Sequence, residues 1–183
     1  MGTHEMNEKV TINAMAVDKD GNTVPCKVTV RSSDEFTMKI TGMPDDHAKV
    51  LLLKALTAIQ TCGCLLKGGV AFEISEMGTR PAMLTVPVAI AYLIATGQVN
   101  PVPEIGDMIM CGDLKLDGEI IEMYNTGQQE RLLWPFDGKN ILTDHKKMHL
   151  VPEGVDLGLR MTAKGPYTVE VSHLNQILKI ISR

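Results

Sequence analysis

The residues of this chain best suited to chemistry are few and scattered. Cys62-Gly63-Cys64, taken with His145 and His149, supplies the ligand types of a two-Cys, two-His zinc site. Such sites usually space their paired cysteines with roughly two to four residues between, and C-x-C is tighter than that. The remaining cysteines, Cys26 and Cys111, stand far away in sequence. Reduced thiols behaving as small buried apolar groups are the better reading, so neither a metal nor a cofactor is expected. His47 follows Asp45-Asp46 at the start of a helix pattern, a place that suits a solvated first-turn side chain better than a general base. His145 and His149 are four apart, but Lys146-Lys147-Met148 between them reads as loop entering a strand rather than a helix face. Trp134 precedes Pro135 and reads as a packing anchor. Lys67-Gly68-Gly69 lacks the spacing and the Ser or Thr of a phosphate-binding loop, and G-x-x-x-x-G-K-[S/T] occurs nowhere in the chain.

The elements that must position these residues follow from periodicity. Lys9 to Val17 and Thr23 to Arg31 alternate apolar and polar residues around the turn signal Asp18 to Asn22, and Phe36 to Thr41 adds a third run. The expectation is an antiparallel three-stranded meander. Asp45-Asp46 then opens a helix to Thr61 with Leu52, Ala55, Leu56 and Ile59 on one face and Gly63 at its end. Gly69 to Ser75 is a fourth strand. Thr85 is placed to cap the next helix, Val86 to Thr96, with Pro87 inside its first turn and Gly97 ending it. That helix is apolar nearly all round, which predicts burial on most sides. Asp107 to Cys111 should be a central strand, and Gly112 to Glu122 a hairpin turning at Asp117-Gly118. Further on, the pattern predicts a short helix over 126–133 and strands over 140–143, 148–151 and 167–171. Ser172 is expected to cap a last helix with Leu174, Ile177, Leu178 and Ile181 inward.

Composition bounds the answer. The 183 residues suit one domain, read as a disordered lead over 1–8 and a single α+β domain over 9–183. Apolar residues make up 44% and charged residues 22%, an ordinary soluble balance. A net charge of −4 provides no basic footprint for nucleic acid. No run approaches the roughly 18 apolar residues of a membrane span, and the N-terminus has no apolar signal core, so a cytoplasmic protein with no membrane partner is expected.

Three motifs in register resemble a known family. Leu84, Thr85, Val86, Pro87, Val88 and Ala89, closing with Ala95, Thr96, Gly97 and Gln98, are similar to F-D-L-P-I-A-L-x-I-L-A-A-S-G-Q. Gly112, Asp113, Leu114, Leu116, Asp117 and Gly118 are similar to G-E-L-x-L-D-G, and Ile40 to Gly63 resembles V-G-L-P-D…R-V-x-x-A-I-x-N-S-G. These are motifs of the N-terminal domain of ComM/YifB-type, magnesium-chelatase-like ATPases. The resemblance runs from about Asn22 to the C-terminus. It implies the two-layer fold of the Lon protease catalytic domain, with a mixed sheet and helices packed on it. GHMP kinases and elongation factor G domain IV share that fold.

The Lon relatives use a Ser–Lys dyad, which needs a hydroxyl and an amine of lowered pKa within hydrogen-bond reach. Carried over by position, the nucleophile falls at Thr85 and the amine at Gly127, in a stretch with no lysine between Lys115 and Lys139. Arg80 cannot serve as base because its guanidinium stays protonated. A Thr85 nucleophile would have to borrow Lys139, Lys115 or Lys67. The relatives also couple this fold to a AAA+ motor, and this chain has no phosphate loop; the kinase loop is missing too, since Glu76 to Leu84 holds one Gly and no Ser. The expected function is therefore that of a stand-alone, non-catalytic domain for protein binding or assembly. Its partner would be a separately encoded AAA+ ATPase, with homo-oligomers as in its ring-forming relatives. The alternatives are an ATP-independent peptidase using Thr85 with a displaced lysine, and a small-ligand-binding regulatory domain.

Overall fold

A computed structural model of the chain describes residues 9–17, 23–35, 37–40, 45–67, 69–75, 81–121, 148–152 and 168–183. β1 (Val10–Val17) and β2 (Thr23–Ser33) form the expected antiparallel hairpin, in register from Val10 opposite Val30 to Val17 opposite Thr23. Alternation decides the faces. Ile12, Ala14, Ala16, Cys26, Val28 and Val30 lie on one side and are buried, whereas Thr11, Lys27 and Arg31 lie on the other and are exposed.

The third strand departs from the expected meander. β3 (Thr37–Ile40) runs parallel to β4 (Gly69–Ile74), and it is β4 that lies beside β2, from Val28 opposite Ile74 to Ser33 opposite Gly69. The cause is the connection: α1 (Asp45–Thr61) separates β3 from β4, and a helical crossover joins parallel neighbours. To reach the far side of β4 the chain leaving β2 must pass over its first residue. A Cβ on Gly69 would sit 2.7 Å from the backbone of Glu35, so only glycine permits the crossing.

β5 (Met108–Met110) pairs parallel with β1, β6 (Met148–Pro152) with β5, and β7 (Thr168–Val171) with β6. The result is a seven-stranded mixed sheet of order β3-β4-β2-β1-β5-β6-β7, in which β2 runs against the other strands. The architecture is α+β, as the patterning predicted.

α2 (Thr85–Ala95) joins β4 to β5 and so must cross β2 and β1; it packs against both, with α1 alongside. Enclosed in this way, every residue from Thr85 to Leu93 is buried, which is why the sequence shows no polar stripe. Phe72 of β4 stacks on Tyr92 of α2, with ring centroids 6.5 Å apart. Both helices end on left-handed glycines, Gly63 (φ +87°) and Gly97 (φ +74°). At the first, the Gly63 amide donates to Gln60 O (3.0 Å) and the Cys64 amide to Ile59 O (2.9 Å), a complete Schellman pair.

α3 (Leu174–Ile181) buries Leu174, Ile177 and Ile181 against the same core. Its N-cap is His173 rather than the expected Ser172. Gln176, at the third helical position, accepts from the amides of Ser172 (2.7 Å) and His173 (3.3 Å), and that sets the frame one residue later. The predicted helix over 126–133 and strand over 140–143 fall outside the described residues. No described helix is long and apolar enough to cross a membrane.

Candidate functional site

The start of α2 meets the segment after β5. The Gly112 amide donates to Met83 O (2.8 Å) and Gly112 O accepts from the Val86 amide (3.1 Å), so Gly112 satisfies one of the helix's otherwise unpaired N-terminal donors. Thr85, the candidate nucleophile, lies between these bonds and is 0% exposed. Its hydroxyl donates to Ala82 O at 2.5 Å. Contrary to the sequence expectation, Thr85 is not the cap. The 3₁₀ turn Pro81–Leu84 runs directly into α2, Leu84 holds the cap position with no side-chain bond, and Thr85 is already helical, turning its hydroxyl back three residues.

Of the lysines proposed to serve Thr85, Lys115 is engaged elsewhere, Lys67 is bonded through its main chain, and Lys139 lies outside the described residues. Lys115 pairs with Glu119 at 3.3 Å, with both side chains about half exposed. Lys67 belongs to the exposed stretch after α1, where its backbone amide donates to the Tyr92 hydroxyl (2.7 Å) and its carbonyl accepts from it (3.2 Å). Lys139 and Gly127 fall outside the described residues, as do Arg80, Trp134 and His145; His149 is placed only as a residue of β6.

The cation that α1 brings to this region is Lys54, whose Nζ bonds Asp113 Oδ1, one residue past Gly112. Sequence reasoning named Asp113 without a role and missed Lys54 altogether. The partners stand 59 residues apart, and no local pattern links them. Among the described residues, no lysine amine bonds the Thr85 hydroxyl.

Several of the remaining motif residues have an identifiable structural task. Leu114 and Ile120 pair across an antiparallel bridge, Lys115 N donates to Glu119 O (2.7 Å) and Gly118 N to Lys115 O (3.0 Å), giving a tight turn at the predicted Asp117-Gly118. Asp117 Oδ1 accepts from the Glu119 amide at 2.9 Å and stiffens that turn. Gly118 has φ +90°, and a Cβ there would collide with Cys62 Sγ and lie 3.1–3.2 Å from the His173 imidazole. Gln98 acts as a clamp: its amide accepts from Leu65 N (2.8 Å) and donates to Leu65 O (2.7 Å), tying the end of α2 to the chain leaving α1. Thr96 donates its hydroxyl to Tyr92 O at 2.9 Å. Pro87 occupies the first turn of α2, where its missing amide costs no helical bond.

Burial favours the protonated form of three thiols. Burial raises the Cys62 pKa above its ordinary value, with Cys64 and the Asp117 carboxylate adding to the effect. Burial likewise raises Cys64, and it raises the fully enclosed Cys111 much further. Such groups are poor nucleophiles and poor metal ligands. No group of three or more His, Cys, Asp or Glu side chains among the described residues converges on a metal-sized site.

What the surface offers instead is apolar. Val50 (64% exposed) and Leu53 (67%) stand three residues apart on the outer side of α1, and Leu65, Leu66 and Leu116 are exposed as well. No protein-family model and no curated protein matches the chain.

Proposed function

We propose that this protein is a non-catalytic domain of the Lon-type, magnesium-chelatase-like kind, working in the cytoplasm by binding and assembly, with a AAA+ ATPase as its partner. The observation that carries the reading is the state of Thr85. A nucleophile must present its oxygen to a substrate and hand its proton to a base. Thr85 presents nothing, because it is enclosed and its hydroxyl proton points at the Ala82 carbonyl. The residues that carry the resemblance to the ComM/YifB-type domain also support the reading. Gly97, Gln98, Gly112, Asp113, Asp117 and Gly118 hold α2, the hairpin and the end of α1 in one arrangement, and none of them converges on a reacting centre. The binding role is favoured by Val50 and Leu53, large apolar side chains left in water three residues apart on α1.

The test is solution mass by multi-angle light scattering, for the wild type and for Val50→Glu/Leu53→Glu. The expected result is an assembly larger than the 20.0 kDa chain that the double variant dissociates without loss of helix content. A wild-type monomer at every concentration, with no association with a AAA+ ATPase in the same experiment, would overturn the assembly role.

A further inference from the structure

We infer that Cys62 and Cys64 are a reversible thiol–disulfide pair, a redox-sensitive site at the end of α1 whose oxidant is a low-molecular-weight disulfide. This goes beyond the binding role and does not depend on it. The free thiols divide by position: Cys26 and Cys111 are buried (2% and 0% exposed), whereas Cys62 and Cys64 are only partly buried. The two accessible thiols flank Gly63, the left-handed residue (φ +87°) on which α1 ends. A single intervening residue limits the separation of their Cα atoms to roughly 7 Å in a fully extended chain. Here the chain is folded back instead, because the Gly63 amide reaches Gln60 O (3.0 Å) and the Cys64 amide Ile59 O (2.9 Å). The fold-back shortens the span toward the roughly 4.4–6.8 Å that disulfides bridge. Gly63 itself is unobstructed, with no atom within 4 Å of where a Cβ would stand, so the turn has room to adjust as the bond closes. The two sulfurs also act on each other: after burial, Cys64 is the next largest cause of the raised Cys62 pKa.

The chemistry is two successive exchanges. One thiolate of the pair attacks a sulfur of the oxidant, here glutathione disulfide, forming a mixed disulfide and expelling glutathione thiolate, which takes up a proton. The second thiolate then attacks the protein sulfur of that mixed disulfide, closing the bond between Cys62 and Cys64 and expelling the other glutathione. The chain gives up two hydrogens with their electrons, and glutathione disulfide is reduced to two thiols. Only thiolates react, so the raised pKa values slow both steps near neutrality. A bond closed over one residue is strained and easily reduced, which suits a transient, sensing disulfide rather than a structural one. Its closure is felt beyond α1. In the reduced chain Cys62 donates its S–H to Asp117 O at 3.9 Å and borders Gly118, and oxidation removes that donor from the hairpin.

The experiment treats the full chain with glutathione disulfide at about pH 8.5, quenches in acid and reads intact and peptide masses, for the wild type and for Cys62→Ser. The wild type should lose about 2 Da, located to the peptide carrying both cysteines and restored by dithiothreitol. Cys62→Ser should stop at the mixed disulfide on Cys64, gaining about 305 Da. A wild type that retains glutathione on Cys62 or Cys64, that joins either of them to Cys26 or Cys111, or that stays reduced at both would overturn the pair. NMR of the wild type gives a second reading: the Gly118 amide signal must shift on oxidation and return on reduction, and a signal that does not move refutes the link to the hairpin.

Discussion

Thr85 shows how little a residue's type says about its use. A hydroxyl at the mouth of a helix reads first as a cap, and here it is not one, because the 3₁₀ turn Pro81–Leu84 moves the helix start one residue upstream. Its bond to Ala82 is local, so Thr85→Ser should be nearly neutral and Thr85→Val should cost about 1 kcal/mol in urea unfolding. Cys111 offers a test by pH. Its folded-state pKa lies well above the ordinary 9.0, so above that pH the unfolded chain gives up a proton that the folded chain keeps. This contribution is fully present below the ordinary value and is lost as pH rises toward the folded one. Stability should therefore fall steadily above about pH 9, and Cys111→Ala should flatten that decline while costing about 1 kcal/mol near neutrality. Urea midpoints measured across the alkaline range check both effects. Tyr92, also raised by burial, adds a similar loss at higher pH.

At the scale of elements, the tightest coupling is where Gly118 meets Cys62 and His173. Gly118→Ala forces a side chain into a left-handed backbone (φ +90°) and into the sulfur, and should cost about 2–4 kcal/mol. Adding Cys62→Ala removes the collision but not the backbone strain, so the double variant should recover about half of the loss; a cycle of chemical denaturations measures it. Gln98→Ala should cost about 1 kcal/mol and speed amide exchange at Leu65, because water can replace only part of the clamp.

The same elements mark what was legible in the sequence. Period-2 alternation located β1 and β2, and the nearly all-apolar run Val86 to Thr96 announced a helix buried on most sides. The left-handed ends of α1 and α2 were visible as Gly63 and Gly97. Neighbour choice was not visible: β3 sits outside β4 rather than beside β2, and the sign of that crossing was the missing Cβ of Gly69, which carries meaning only once Glu35 is known to pass over it. Lys54 with Asp113 and His173 with Gly118 were hidden for a similar reason, since each pair is joined by the fold and not by spacing. The Gln176 frame that selects His173 over Ser172 as the cap was written in the sequence as a Gln three residues on.

For the whole molecule, the sheet order explains why the most constrained residues fall where they do. α2 must cross two strands to link β4 to β5, so its start, its end and the hairpin that receives it carry the most exacting residues. Under the proposed binding role, the α1 surface with Val50 and Leu53 is what engages another protein. The claim that the motifs now serve structure alone is tested most directly by hydrolysis of fluorescent casein and short peptides by the wild type and by Thr85→Ala. The account predicts no turnover above the buffer blank in either protein. Turnover by the wild type that disappears in a folded Thr85→Ala variant would contradict it.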